Sequence, residues 1–118
     1  MEYATRPRAL PSCTHKVRVG CGNLYITVTS NEESIVEVFA MLGKSGGCSM
    51  CQNEALCRSI SIGLRSGVPV DSYVKTLKGI GCPNPIHGEN GHTALSCPDA
   101  VGKVLELELQ NGKESTHS

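Results

Sequence analysis

The chain has 118 residues and a formal net charge of zero at pH 7, with seven cysteines, three tyrosines, one phenylalanine and no tryptophan. This length fits a single domain, and the neutral charge with so few aromatic rings argues against non-specific binding of nucleic acid by phosphate neutralisation or base stacking. No run approaches the roughly 20 apolar residues of a membrane helix, and residues 1–10 lack the apolar segment of a secretory signal, so we expect a soluble, cytoplasmic protein.

Alternating apolar and polar residues, together with a segment rich in β-branched residues at 24–29, predict three strands in the first half of the chain. Residues 1–14 are mostly polar, contain two prolines and are predicted to form an irregular arm. The alternation predicts a half-buried strand over 15–19, and a turn rich in Gly and Asn at 20–23 joins it to a second strand over 24–29. A third strand follows over 35–42. Because consecutive strands usually lie next to each other, we expect a three-stranded antiparallel meander.

The second half of the chain has helical periodicity that is interrupted by one long loop. Apolar residues recur at three- and four-residue intervals from about 48 to 65, which predicts an amphipathic helix. Asp71 is predicted to cap a second, shorter helix. Residues 79–95 are rich in Gly and Pro and are predicted to form a loop. Ser96 is predicted to cap the last helix, with Asp99 at the fourth position of the capping motif.

These elements predict one α+β domain. A small antiparallel three-stranded sheet is followed by about three helices, which cover one face of the sheet, and by a Cys/Gly/Pro-rich loop. We place the domain at residues 15–109, between the arm at 1–14 and a polar tail at 110–118. The outer strands of such a sheet have unpaired edges, so a second copy could pair with one of them to form a homodimer.

Several short motifs follow one another in order along the chain. They are Arg6-Pro7-Arg8, Gly20-Cys21-Gly22-Asn23-Leu24-Tyr25, Glu37-Val38-Phe39, Leu42-Gly43-Lys44-Ser45-Gly46-Gly47-Cys48, Leu64-Arg65-Ser66-Gly67-Val68, Leu77-Lys78-Gly79-Ile80, Cys82-Pro83 and Ser96-Cys97-Pro98-Asp99-Ala100. In this order they resemble the TSCPD domain, which is named after the last motif. Leu95 stands here in place of the threonine that gives the motif its first letter.

The resemblance implies an accessory protein more than an enzyme. TSCPD domains are found at the C-terminal end of adenosylcobalamin-dependent ribonucleotide reductases, and also as separate small proteins in bacteria, archaea and viruses. A chain of 118 residues has no room for the catalytic barrel of the reductase. The resemblance therefore implies a domain that binds the reductase large subunit, or its nucleotide or nucleic-acid ligand, while adenosylcobalamin is bound only by that partner.

Four of the seven cysteines lie within these motifs, namely Cys21, Cys48, Cys82 and Cys97, and we refer to them as the four-cysteine set. An odd number of cysteines without a secretory signal argues against a disulfide framework. Four thiolates that converge from separate elements form the usual tetrahedral site of structural zinc. The spacing Cys-x26-Cys-x33-Cys-x14-Cys lacks the close pairs of common zinc ribbons, so buried free thiols and redox-active thiols stay open as alternatives.

Cys48 and Cys51 form a Cys-x2-Cys pair at the start of the first predicted helix. Such a pair can exchange disulfides, which makes a thiol-redox protein a further hypothesis, although no βαβ pattern typical of thioredoxin surrounds it. Cys13 in the arm and Cys57 within the helix have no predicted role, and neither has His15. The two loop histidines could bind a metal, but solvated side chains are the simpler interpretation.

The glycine-rich segment before the first helix could hold an anion. Lys44, Ser45, Gly46 and Gly47 precede a helix N-terminus, where backbone N–H groups can cradle phosphate, and Arg65 could add positive charge. The spacing is not that of a P-loop, and a plain turn from strand to helix is the simpler explanation. The segment supports an alternative function. The chain could be a stand-alone protein, of viral or cellular origin, that binds or sequesters a nucleotide or another small ligand.

Overall fold

The computed structural model describes residues 10–32, 34–43, 47–83, 85–87 and 93–116, with the side chains of all of these except 47–49 and 112–116. The elements in chain order are β1 (Ser12–Val19), β2 (Gly22–Ser30), β3 (Ile35–Leu42), α1 (Gly47–Arg65), α2 (Val70–Leu77), β4 (Ile86–His87), β5 (Thr93–Ala94) and α3 (Cys97–Thr116). The predicted α+β class and three-stranded antiparallel sheet are confirmed. Among the helices described, none is both long and apolar enough to cross a membrane.

The main sheet has the strand order β1-β2-β3, and its register places alternate side chains on opposite faces. Leu24, Ile26 and Val28 on the central strand lie on one face and are almost completely buried. Apolar side chains of α1, α2 and α3 complete the core, and each fully buried Leu, Ile or Val contributes about 1.5–3 kcal/mol. Tyr25 and Phe39 lie on the opposite face, where both are exposed.

The edge of β3 is bonded to α1. The Ser61 hydroxyl accepts a hydrogen bond from the Val38 N–H and donates one to the Val38 carbonyl oxygen, both at 3.0 Å. One turn further along α1, Arg65 forms an ion pair with Glu37 at 3.0 Å, and both side chains are largely buried. The helix thus protects one of the two edges of the sheet. A homodimer formed by strand pairing remains a prediction and would use β1.

β1 begins at Ser12, three residues before the predicted strand. Cys13 and Thr14 pair with Val28 and Thr27 across the sheet, and the two threonine hydroxyls are 2.8 Å apart. Cross-strand pairing therefore extends the strand into residues whose polar character predicted an irregular arm. The predicted arm is corrected for residues 12–14, while residues 1–9 of it lie outside the described part of the chain.

The later elements depart from the predictions in three places. α2 begins after Pro69, so Asp71 is not its cap but lies in its first turn, where it pairs with Lys75 at 3.0 Å. The predicted loop over 79–95 contains the short antiparallel pair β4–β5. α3 continues to Thr116, because a polar sequence can prolong a helix through its backbone hydrogen bonds without an apolar stripe.

Candidate functional site

Ser96 ties the start of α3 to the start of the preceding loop. Its hydroxyl oxygen accepts a hydrogen bond from the Asp99 N–H at 3.1 Å, so the predicted N-cap is confirmed. The same hydroxyl donates to the Ile80 carbonyl oxygen at 2.6 Å. One buried side chain therefore fixes the end of α2 and its exit segment against the first turn of α3.

Asp99 strengthens the same junction from inside the protein. Its side chain is completely buried, and its two oxygens accept backbone hydrogen bonds from Gly79 at 2.8 Å and Leu95 at 3.0 Å. Lys103, one turn along α3, adds an ion pair at 2.7 Å. Burial raises the pKa of the carboxyl, but the bonds from Gly79, Lys103 and Leu95 outweigh it and lower the pKa below its usual value.

This double attachment brings the two ends of the loop together. Gly79 has a φ of +93°, a conformation that residues with side chains rarely adopt, and it turns the chain toward Asp99. Three residues later the Cys82 N–H donates to the Leu95 carbonyl oxygen at 3.0 Å. Cys82 is thereby held beside the residues that lead directly into Cys97, the first residue of α3.

Three members of the four-cysteine set lie around one cavity. The cavity has a volume of about 420 Å³, and its lining includes Cys21 from the β1–β2 turn, Cys82 from the loop and Cys97 from α3. Burial raises the pKa of the Cys97 thiol, and the neighbouring Cys21 and Cys82 raise it further, while Asn53 opposes the rise. The Cys21 and Cys82 thiols therefore lie near enough to Cys97 to affect its ionisation.

The three sulfur atoms do not form a closed cage. Within the described residues, the group of potential metal ligands whose atoms all lie within 4.8 Å of one another is Cys13, His15 and Glu108, and not members of the four-cysteine set. A tetrahedral zinc ion with sulfur ligands about 2.3 Å away holds those sulfur atoms closer together than that limit. Binding of an ion would thus require Cys21, Cys82 and Cys97 to close around it.

The fourth predicted ligand is placed only by its backbone. Cys48 lies in the first turn of α1, and its side chain is outside the described residues. Gln52, one turn further along the helix, lines the same cavity as the other three cysteines.

Asn53 is a site residue that the sequence analysis missed. It lines the cavity and is only 4% exposed. Its amide nitrogen makes no hydrogen bond of standard geometry within the described residues, yet the amide lies close enough to Cys97 to lower the pKa of that thiol. A signal was present, because Asn53 continues the buried stripe of α1 through Cys57, Ile60 and Leu64 at a position where an apolar residue is expected.

The predicted anion site is only partly described. Lys44, Ser45 and Gly46 lie outside the described residues, and Gly47 is the first residue of α1. The guanidinium of Arg65 is occupied by its ion pair with Glu37, so the structure gives it a role in packing α1 on β3. The redox alternative stays a prediction as well, with Cys51 exposed at the surface of α1.

Comparison with known proteins gives one family. The TSCPD domain model matches residues 1–109. Vitamin B12-dependent ribonucleotide reductases of Streptantibioticus cattleyicolor, Streptomyces clavuligerus and Streptomyces coelicolor are each 32% identical over 69 residues. These alignments cover 58% of this chain but only 7 to 12% of each reductase. No solved structure gives a significant match.

Proposed function

Since this chain belongs to the TSCPD domain family, we propose that it is an accessory domain of a ribonucleotide reductase and has no reductase activity alone. The matched relatives are vitamin B12-dependent ribonucleotide reductases, and the matched segment covers only 7 to 12% of their length. Adenosylcobalamin and the reacting nucleotide would then be bound by the partner. The contribution of this chain would be to bind the large subunit of the reductase.

We further propose that the four-cysteine set binds one structural zinc ion. The observation that carries this proposal is the common cavity of Cys21, Cys82 and Cys97, which come from the β1–β2 turn, the loop before α3 and α3 itself. In that cavity the Cys21 and Cys82 thiols raise the pKa of Cys97. A bound divalent cation would have the opposite effect, because it favours the thiolate form. The buried Asn53 amide fits the same ion, since an N–H donor beside a metal-bound sulfur stabilises its negative charge.

The residues around the cavity would do the positioning. Ser96 and Asp99 hold the loop and α3 in one arrangement, so that Cys82 and Cys97 are already close before an ion binds. The ion would then add the β1–β2 turn through Cys21 and the start of α1 through Cys48. A structural zinc ion contributes directly to the free energy of folding, which is valuable in a domain with a small core.

The partner proposal is tested with a reductase whose own TSCPD segment has been deleted. This chain, loaded with zinc, is mixed with the truncated reductase, and the complex is measured by size-exclusion chromatography with light scattering. The proposal expects a stable complex with the truncated reductase. The intact reductase is the matched control, because its own segment should occupy the docking site and exclude this chain. Equal binding to both reductases, or binding to neither at micromolar concentrations, would contradict the proposal.

A further inference from the structure

A second group of potential metal ligands lies between β1 and α3. Cys13 and His15 alternate along β1 and pair with Val28 and Ile26, so their side chains lie on the face of the sheet that carries the core. Val17 and Val19 follow at the next two positions of the same face. A thiol and an imidazole therefore stand where the pattern of the strand calls for apolar side chains.

Glu108 of α3 faces these two side chains. Its carboxylate oxygen lies 2.5 Å from His15 Nε2, and the two side chains are only 16% and 21% exposed. Together with the Cys13 sulfur, one ligand atom from each residue lies within 4.8 Å of the other two. A plain ion pair between Glu108 and His15 would not need the thiol, whereas all three groups are donors to transition metals.

We propose that Cys13, His15 and Glu108 form a second metal site, for a divalent ion of the zinc class. Thiolate, imidazole and carboxylate are the three kinds of protein ligand that zinc accepts. Three protein ligands leave the fourth tetrahedral position for water or for an external ligand, as in zinc sites that are not purely structural. Cys13 is exposed, so that fourth position is reachable from solvent.

The charges around the group suit a cation. The Glu108 carboxylate lies beside the Cys13 thiol, and a bound cation would stabilise both the carboxylate and the thiolate. Lys103, which lines a cavity with His15, is held by Asp99 and by the Thr93 carbonyl oxygen at 2.8 Å. Its ammonium group is therefore engaged away from Glu108.

This site is separate from the four-cysteine set. Cys97 is the first residue of α3, and Glu108 lies 11 residues later on the same helix, which places the two about 16 Å apart along the helix axis. The two sites share no ligand. They can therefore be loaded, and disabled, independently of each other.

Titration of the metal-stripped full chain with Co2+ tests the proposal, with thiolate-to-cobalt absorption and calorimetric stoichiometry as readouts. We expect two equivalents to bind. Glu108→Gln and Cys13→Ser should each lower the affinity for one of the two ions at least tenfold. Even mutation of residues that only hydrogen-bond to the metal ligands lowers affinity by about 10- to 100-fold. The matched control is Glu106→Gln, also on α3, whose carboxylate pairs with Lys78 at the surface and whose loss should change neither equivalent.

The outcomes separate this proposal from the four-cysteine site. If the four-cysteine site is wrong and this one is right, the wild type binds one equivalent, which Glu108→Gln removes and Cys97→Ser leaves intact. If this site is wrong, Glu108→Gln and Cys13→Ser retain the stoichiometry and affinity of the wild type. Because Cys13 is exposed, we expect the Cys13→Ser variant to fold normally. It therefore tests the site even if the Glu108→Gln variant is unstable.

Discussion

Replacing Asp99 by Asn tests how the loop is attached to α3. The two Asp99 oxygens accept bonds from Gly79 and Leu95 at 2.8 and 3.0 Å, and the carboxylate is completely buried. An asparagine of the same shape has one oxygen and one NH2 group, so one backbone N–H would face a donor. Hydrogen bonds to a charged group are worth about 1.5–3 kcal/mol each. With the lost ion pair to the partly exposed Lys103 adding less than about 1 kcal/mol, the expected loss is about 1.5–4 kcal/mol.

Urea unfolding at pH 7 measures this loss directly. The matched control is Asp71→Asn, which removes an exposed carboxylate that pairs with Lys75 on α2 and should cost less than about 0.5 kcal/mol. The variant Asp99→Asn should also reduce the protection of Cys82 from alkylation, because the loop is no longer fixed. A loss of less than about 1 kcal/mol for Asp99→Asn would refute the view that this carboxylate holds the junction.

The same carboxylate makes stability depend on pH. Because the folded-state pKa of Asp99 is lowered, its contribution is fully present above the unfolded pKa of about 4 and is lost as the pH falls through the folded pKa. The difference in unfolding free energy between the wild type and Asp99→Asn should therefore be constant at neutral pH. It should shrink as the pH is lowered below about 4, and a difference that grows in acid would contradict this assignment.

Three further substitutions give distinct expectations. Gly63→Ala should destabilise the fold by about 1–3 kcal/mol in urea unfolding, because the new Cβ would overlap the Tyr73 hydroxyl; Tyr73→Phe in the same chain should recover part of the loss, and no recovery would contradict the overlap. Ser61→Ala should cost about 1–3 kcal/mol by the same measurement, since it leaves two Val38 edge groups unbonded, and a neutral result would show that water replaces the hydroxyl. Asn53→Ala should lower the affinity for zinc about tenfold in a competition titration without changing the stoichiometry. An unchanged affinity would contradict a role of the Asn53 amide at the zinc site.

The strands and the core were the most predictable part of the fold. The β-branched residues of 24–29 and the alternation in 35–42 are local signals, and Ile26 and Val38 are indeed completely buried. The cap by Ser96 was equally predictable, because its partner lies three residues away. Such features require only local sequence, and the confirmed three-stranded sheet follows from them together with the preference for neighbouring strands to pair.

The connections across the sequence were not predictable in the same way. Asp99 was assigned to a helix cap from its neighbours, whereas its main partner, Gly79, is 20 residues away. Cys13 lay in the predicted irregular arm and His15 opened the predicted first strand, and neither was given a role. Their strand forms through pairing with β2, and their proximity to Glu108, 93 residues beyond His15, arises only when α3 packs on the sheet.

The placement of the cysteines falls between these cases. Their positions beside Gly and Pro in the motifs singled out the four-cysteine set, and three of its members lie at one cavity. The place of Asn53 in the buried stripe of α1 was visible in the sequence, but its proximity to Cys97 was not, because the two residues are 44 positions apart. Exposure does not separate Cys51 from the four-cysteine set, because Cys21 is exposed as well.

The most direct test of the central claim is zinc content combined with mass-spectrometric mapping of alkylated cysteines. The Cys13→Ser variant, purified without chelator, leaves the four-cysteine set as the proposed zinc site. We predict about one zinc ion per chain, with all four cysteines of the set protected from alkylation until the metal is stripped and with exposed Cys51 alkylated throughout. A chain without metal, or one in which the four cysteines react as readily as Cys51 before chelation, would contradict the claim that they share one ion.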